Sequence, residues 1–227
     1  MPDIVIPIVF PDYLIAVNTP KARFKIPDLI PGIDILPDDI GIPETKNKLP
    51  ELGHAGVLFI EGASGTTKYY EYGRYVNDDG QVQKLGIRDV KMTKGHPTKA
   101  SLAYTLSQIS AKTGHHGAIS AAYIPVEGKY GAMLQYAKKR QSNNYNPKRE
   151  LYSIFTNSCV HFMKGVMDAA GVDTPLMIDP RPNSYIEEIR DDYLNLDYIK
   201  KTNTLTTQED ASVTLAYSGR MQQAASA

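Results

Sequence analysis

The chain has 227 residues, with 25 basic and 25 acidic side chains and a formal charge of zero. That balance denies it the electrostatic footprint of a nucleic-acid binder. Apolar residues at 42% and charged residues at 22% supply a core and argue against global disorder. Its one cysteine, Cys159, excludes an intrachain disulfide and a multi-cysteine zinc site.

The first seventeen residues are apolar, but Asp3 and Asp12 and the prolines at 2, 7 and 11 interrupt them, and no basic start or small-residue cleavage site accompanies them. No run approaches the roughly 20 apolar residues of a membrane span. The expectation is a protein made in the cytoplasm that reaches any external target by a route independent of a signal peptide. Nine of the 15 prolines fall within residues 1–50. Proline removes a backbone donor, so this stretch is expected to hold only edge strands, such as Ile4–Phe10 and Tyr13–Val17. The remainder reads as a Pro-rich wrap over residues 1–50.

From Gly53 the pattern changes. His54–Glu61 reads as an apolar strand, Gly62–Gly65 as a turn, and Thr67–Val76 as its hairpin partner. A third strand over Val82–Val90, a helix over Thr98–Thr113, a strand over Ala118–Pro125 and a basic helix over Lys129–Gln141 follow. Asn157–Ala170 carries Cys159, Phe162, Met163, Val166 and Ala170 at helical spacing, with Asn157 as the expected cap and Gly171 as the stop. Ser184–Tyr193 is a further helix, and the last thirty or so residues read as weak helix fading into a tail. The expected fold class is α+β, an antiparallel sheet packed against helices. Its units are the wrap, a catalytic domain over residues 51–205 and a tail over residues 206–227.

Cys159 falls near the start of its helix, where unpaired N–H groups and the helix dipole favour an anion. Two readings stand: an activated nucleophile, or a small buried hydrophobe. A thiol nucleophile needs an imidazole base and a polar group to orient it. His161 lies two positions along the same helix and points elsewhere, and with His96, His115 and His116, which sit in loops, it is assigned to solvent. His54 opens the apolar strand. If Ala63-Ser64 forms the turn, Gly56 faces Glu71, and Glu71 shares a face with His54. Glu71 is then the orienting carboxylate, or an exposed partner of Arg74 or Lys68. The adjacent pair His115-His116 lacks metal-ligand spacing, and neither a metal nor another cofactor is expected. Lys138, Lys139, Arg140, Lys148 and Arg149 read as a solvated basic face.

The order of these motifs, GHAGVLFIEG, then YYEYGRY, then TNSCVHFM, resembles the circularly permuted NlpC/P60 branch of papain-like enzymes over roughly residues 50–171. That likeness implies Cys159 as nucleophile, His54 as base and Glu71 as orienting residue. The whole chain, including PIVFPDYLIAV and DPRPNSYIEEIRDDY, is similar to TseH-like effectors of the type VI secretion system. This resemblance implies an antibacterial hydrolase injected into the periplasm of a rival cell. There it would cleave amide bonds in peptidoglycan peptides, as a monomer with a secretion carrier and an immunity protein as partners. About 85 residues separate hairpin and cysteine helix, more than in compact papain-like proteins. Two alternatives stay open: a permuted papain-like lipid acyltransferase or thioesterase, and a binding module whose cysteine is merely buried.

Overall fold

The computed structural model describes residues 1–13, 15–16, 23–25, 39–41, 48–49, 53–75 and 79–207. Seven strands form one antiparallel sheet: β1 (Asp3–Phe10), β2 (His54–Ile60), β3 (Thr67–Gly73), β4 (Gln81–Leu85), β5 (Ile119–Val126), β6 (Leu194–Ile199) and β7 (Thr204–Thr207). Their spatial order is β7-β6-β5-β1-β2-β3-β4. Four helices cover the sheet: α1 (Lys99–Lys112), α2 (Tyr130–Ser142), α3 (Cys159–Ala169) and α4 (Pro182–Asp192). The chain is therefore α+β, with an antiparallel sheet between two helical layers.

Alternation along the strands assigns each side chain to a layer. Val5, Val9, Ala55, Val57, Phe59 and Tyr70 join Phe162, Met163, Val166 and Ile186 from α3 and α4 in one core. Ile4, Ile6, Ile8, Phe10, Leu58 and Tyr69 join Leu102, Leu106 and Ile109 of α1 in the other. Strands β1 and β2 are buried on both faces, which explains their nearly unbroken apolar sequences.

Strand β1 corrects the expectation drawn from its prolines. It is no edge strand but lies at the middle of the sheet, between β5 and β2. Pairing with β2 runs without interruption from Ile4↔Ile60 to Phe10↔His54. Pairing with β5 breaks between Val5↔Ile124 and Ile8↔Ala121, the stretch that contains Pro7. The missing proline donor thus costs a local gap on one side, while complete burial of the other side chains holds the strand in place. Between β1 and β2 two short antiparallel pairs are described, Ile15–Ala16 with Lys48–Leu49 and Arg23–Lys25 with Asp39–Gly41. Most of the expected wrap, and the tail from residue 208 onward, lie outside the described residues.

The C-terminal expectation also needs correction. Residues from Leu194 do not fade into a helix: β6 and β7 pair from Leu196↔Thr207 to Ile199↔Thr204 and finish one side of the sheet. Arg190 of α4 holds β6 with two 2.9 Å hydrogen bonds to the Asp197 carboxylate. The third hairpin strand is shorter than expected, ending at Leu85. Among the described residues no helix is long and apolar enough to cross a membrane.

Candidate functional site

The hairpin register brings the first two candidate residues together. Gly56 pairs with Glu71, so His54 and Glu71 share a face as expected, although the turn is wider than Ala63-Ser64: Gly65 N–H donates to the Glu61 carbonyl and Glu61 N–H to the Thr66 carbonyl. His54 Nε2 lies 3.4 Å from Glu71 Oε2. The glycine is structurally necessary: a Cβ at position 56 would collide with the hydroxyl of Tyr69. That hydroxyl instead crosses the sheet surface and donates a 2.8 Å hydrogen bond to Glu71 Oε2. Gly53, just before His54, has φ +71°, a conformation costly for any residue with a Cβ. It lets the chain turn sharply into the strand.

Cys159 arrives from the other layer. It is the first residue of α3, one position earlier than expected, because Ser158 rather than Asn157 is the cap. His161 is also not solvated as expected. It is half-buried, and its Nδ1 lies 2.8 Å from the Ser158 hydroxyl in a reciprocal capping box. Asn157 has a different task. Its Nδ2 donates to the Tyr72 hydroxyl and to the carbonyls of Glu150 and Leu151, and its Oδ1 accepts from Arg140 at 2.7 Å. The turn before Cys159 is therefore fixed on every side, while the leading N–H groups of α3 have no partner within the helix.

His54 links the layers: its Nε2 faces Glu71 Oε2 on its own side of the sheet, and Cys159, from the other layer, acts on its titration. The relative exposures are 2% for Cys159, 7% for His54 and 3% for Glu71, so burial alone would suit a structural cysteine equally well. The neighbours distinguish the readings. Burial, the largest influence, pulls the His54 pKa down, but the hydrogen bonds from Cys159 and Glu71, with the charges of both, push it up to about 10. For Glu71, burial raises the pKa, yet His54 first, then the hydroxyls of Tyr69 and Tyr75, hold it below the ordinary carboxylate value. The imidazolium is thus favoured between two acidic groups. Glu71 is not the exposed partner of Arg74 or Lys68.

Tyrosines enclose this group, and motif reading missed them. The Tyr75 hydroxyl lies 3.4 Å from His54 Nε2. The Tyr13 ring packs on His54 at 5.0 Å between centroids, and His115 packs on its far side at 4.8 Å. Phe10 stacks on His54 at 6.2 Å. On the Cys159 side stands Tyr152, stacked on Tyr72 at 5.7 Å; burial and then the Cys159 charge raise its phenol pKa. The tyrosine-rich run around Glu71 was the one available signal. The expected basic face is only partly solvated. Lys138 and Lys139 are exposed, but Arg140 turns in to Asn157 and Arg149 to Asp79 at 3.4 Å. Among the described residues no group of three or more His, Cys, Asp or Glu gathers as metal ligands would.

Comparison with known proteins gives the same order of elements a context. A model of the family "Type VI secretion system effector TseH-like" matches residues 5–173. The solved structure of the type VI secretion system effector TseH is 32% identical, with a TM-score of 0.72, over 91% of this chain and 97% of that one. No curated protein matches the chain. The match spans β1, the hairpin and α3 alike, and on that basis the chain belongs to the TseH-like family of type VI secretion system effectors.

Proposed function

We propose that the protein is a cysteine hydrolase of the permuted papain-like, NlpC/P60 kind that cuts amide bonds in the peptides of peptidoglycan. The observation that carries this reading is His54, 3.4 Å from the Glu71 carboxylate, with Cys159 as the other group that acts on the ring. The strand-histidine, hairpin-glutamate, helix-cysteine order supports it, as does membership of an effector family.

The chemistry follows from the positions. Cys159 transfers its proton to His54, and the thiolate Sγ attacks the scissile carbonyl carbon. The carbonyl oxygen becomes an oxyanion facing the free N–H groups at the start of α3, a kind of contact whose removal costs about 10²–10³ in rate elsewhere. His54 returns the proton to the leaving nitrogen as the C–N bond breaks, which leaves a thioester on Cys159. Water then gives one proton to His54 and adds its hydroxyl to the thioester carbon. Collapse releases the carboxylic acid, and the proton on His54 restores the thiol. Glu71 remains ionised throughout and orients the ring, with Tyr69 and Tyr75 holding the carboxylate.

On this reading the working place is the periplasm of a target cell, and the producing cell supplies a secretion carrier and an immunity protein. Digestion of purified sacculi followed by mass spectrometry of the soluble fragments tests it. Wild-type protein should release peptides with new amine and carboxylate ends, and C159A and H54A should release none. Equal digestion by C159A would overturn the proposal, and so would lipid products with intact wall peptides.

A further inference from the structure

Beside Cys159, on the side away from Glu71, four side chains stack in series. Arg74 lies over the Tyr152 ring with its guanidinium carbon 4.5 Å from the centroid. Tyr152 stacks on Tyr72 at 5.7 Å and 14°. Arg140 closes the far end, 5.4 Å from the Tyr72 centroid. The ends of this stack differ. Arg140 is half-buried and committed to Asn157. Arg74 is exposed, and among the described residues it pairs with no carboxylate.

We propose that Arg74 is a carboxylate-binding subsite, selecting peptide substrates that carry a free carboxylate close to the scissile amide. With its carbon held over the ring and its side chain exposed, the guanidinium keeps N–H donors free for the fork that matches a carboxylate. The stack also restrains a side chain that would otherwise lose rotamer freedom on binding, which preorganises the contact. Its place is set by Tyr152, which stacks on Tyr72, and the Tyr72 hydroxyl accepts a 2.9 Å hydrogen bond from Asn157, two residues before Cys159, so the cation stands on the cysteine side of the site. Nearby cations have other duties: Arg149 pairs with Asp79. Wall peptides offer carboxylates on side chains and chain ends, which makes charge a usable mark of the correct bond.

This inference rests on Cys159 being the reactive nucleophile, and the test separates the two claims. Purified wild-type protein, R74Q and R74E are alkylated at Cys159 with iodoacetate, which carries a carboxylate, and with neutral iodoacetamide of similar size. In wild type the iodoacetate rate should saturate with concentration, while the iodoacetamide rate stays linear. The ratio of the two rates at low concentration should fall about tenfold in R74Q and further in R74E, with iodoacetamide rates within about twofold of wild type. A ratio unchanged in R74Q, or a wild-type iodoacetate rate that never saturates, overturns the Arg74 subsite and leaves the nucleophile standing. A Cys159 that reacts with neither reagent faster than a free thiol overturns both. Arg74 is exposed, so loss of folding is not expected, and a thermal melt of each variant verifies it.

Discussion

The two faces of the sheet contribute different things to one site. The face under α2, α3 and α4 supplies Cys159, the proposed nucleophile, with its capped helix and the arginine–tyrosine stack. The face under α1 supplies Glu71 and the tyrosine hydroxyl that holds it. His54, the first residue of β2, joins them where the strand begins. Cys159 and Glu71 are thus anchored against separate hydrophobic cores, and each face can be disturbed without directly disturbing the other.

The largest effect should come from the nucleophile. Cys159→Ala is expected to abolish hydrolysis while shifting the melting temperature little, since it removes only one sulfur from a well-packed helix start; sacculus digestion and calorimetry would measure both. Glu71→Gln acts from the opposite face and should lower activity by about 10²–10⁴ while leaving Cys159 in place. Its signature is a fall in the His54 pKa, read by NMR, because a carboxylate that raises that value is gone. If E71Q and wild type titrate alike at His54, the two faces are not coupled through the histidine.

A smaller effect is expected from Tyr69→Phe, which deletes a 2.8 Å hydrogen bond to a carboxylate and should cost about 1.5–3 kcal/mol of stability. Stability should also vary with pH in a definite sense. His54, raised from 6.5 to about 10, stabilises the fold fully below 6.5, and this contribution disappears as pH rises through the folded value. Glu71, lowered from 4.5, contributes above that value and loses its contribution as pH falls through its folded pKa. Chemical denaturation from pH 3 to 11 should show both limbs, and E71Q should flatten both. Least of all, Arg190→Ala should cost about 1 kcal/mol or less, with salt reducing the loss and hydrolysis unchanged. A large activity loss there would mean that α4 and β6 are tied to the site more tightly than the two-face division allows.

The central hairpin was legible because its alternation is strict: the loop spans residues 62–65 rather than Ala63-Ser64 alone, but it is centred on the same pair, so the register that places Glu71 beside His54 is unchanged. The cysteine helix was legible from its apolar spacing, apart from one residue at its cap. Strand β1 was not, because proline chemistry describes one residue's missing donor, whereas placement was decided by seven other side chains that fit between two helical layers. Strands β6 and β7 were obscured by polar composition: Thr204–Thr207 finishes a sheet edge and needs only one buried side chain, Leu205. The arginine–tyrosine stack could not have been read, since Tyr72 and Tyr152 are far apart in sequence and meet only after the sheet and α3 have assembled.

The position of β1 bears on how the molecule reaches its folded state. This strand precedes both of its neighbours in the chain, and β5 follows only after the hairpin and α1. An apolar octapeptide must therefore wait through the synthesis of more than a hundred residues before its second edge is covered. Loop-closure entropy makes such late, distant pairings slow. Until then the segment exposes open strand edges to other chains, a hazard the break at Pro7 partly blunts.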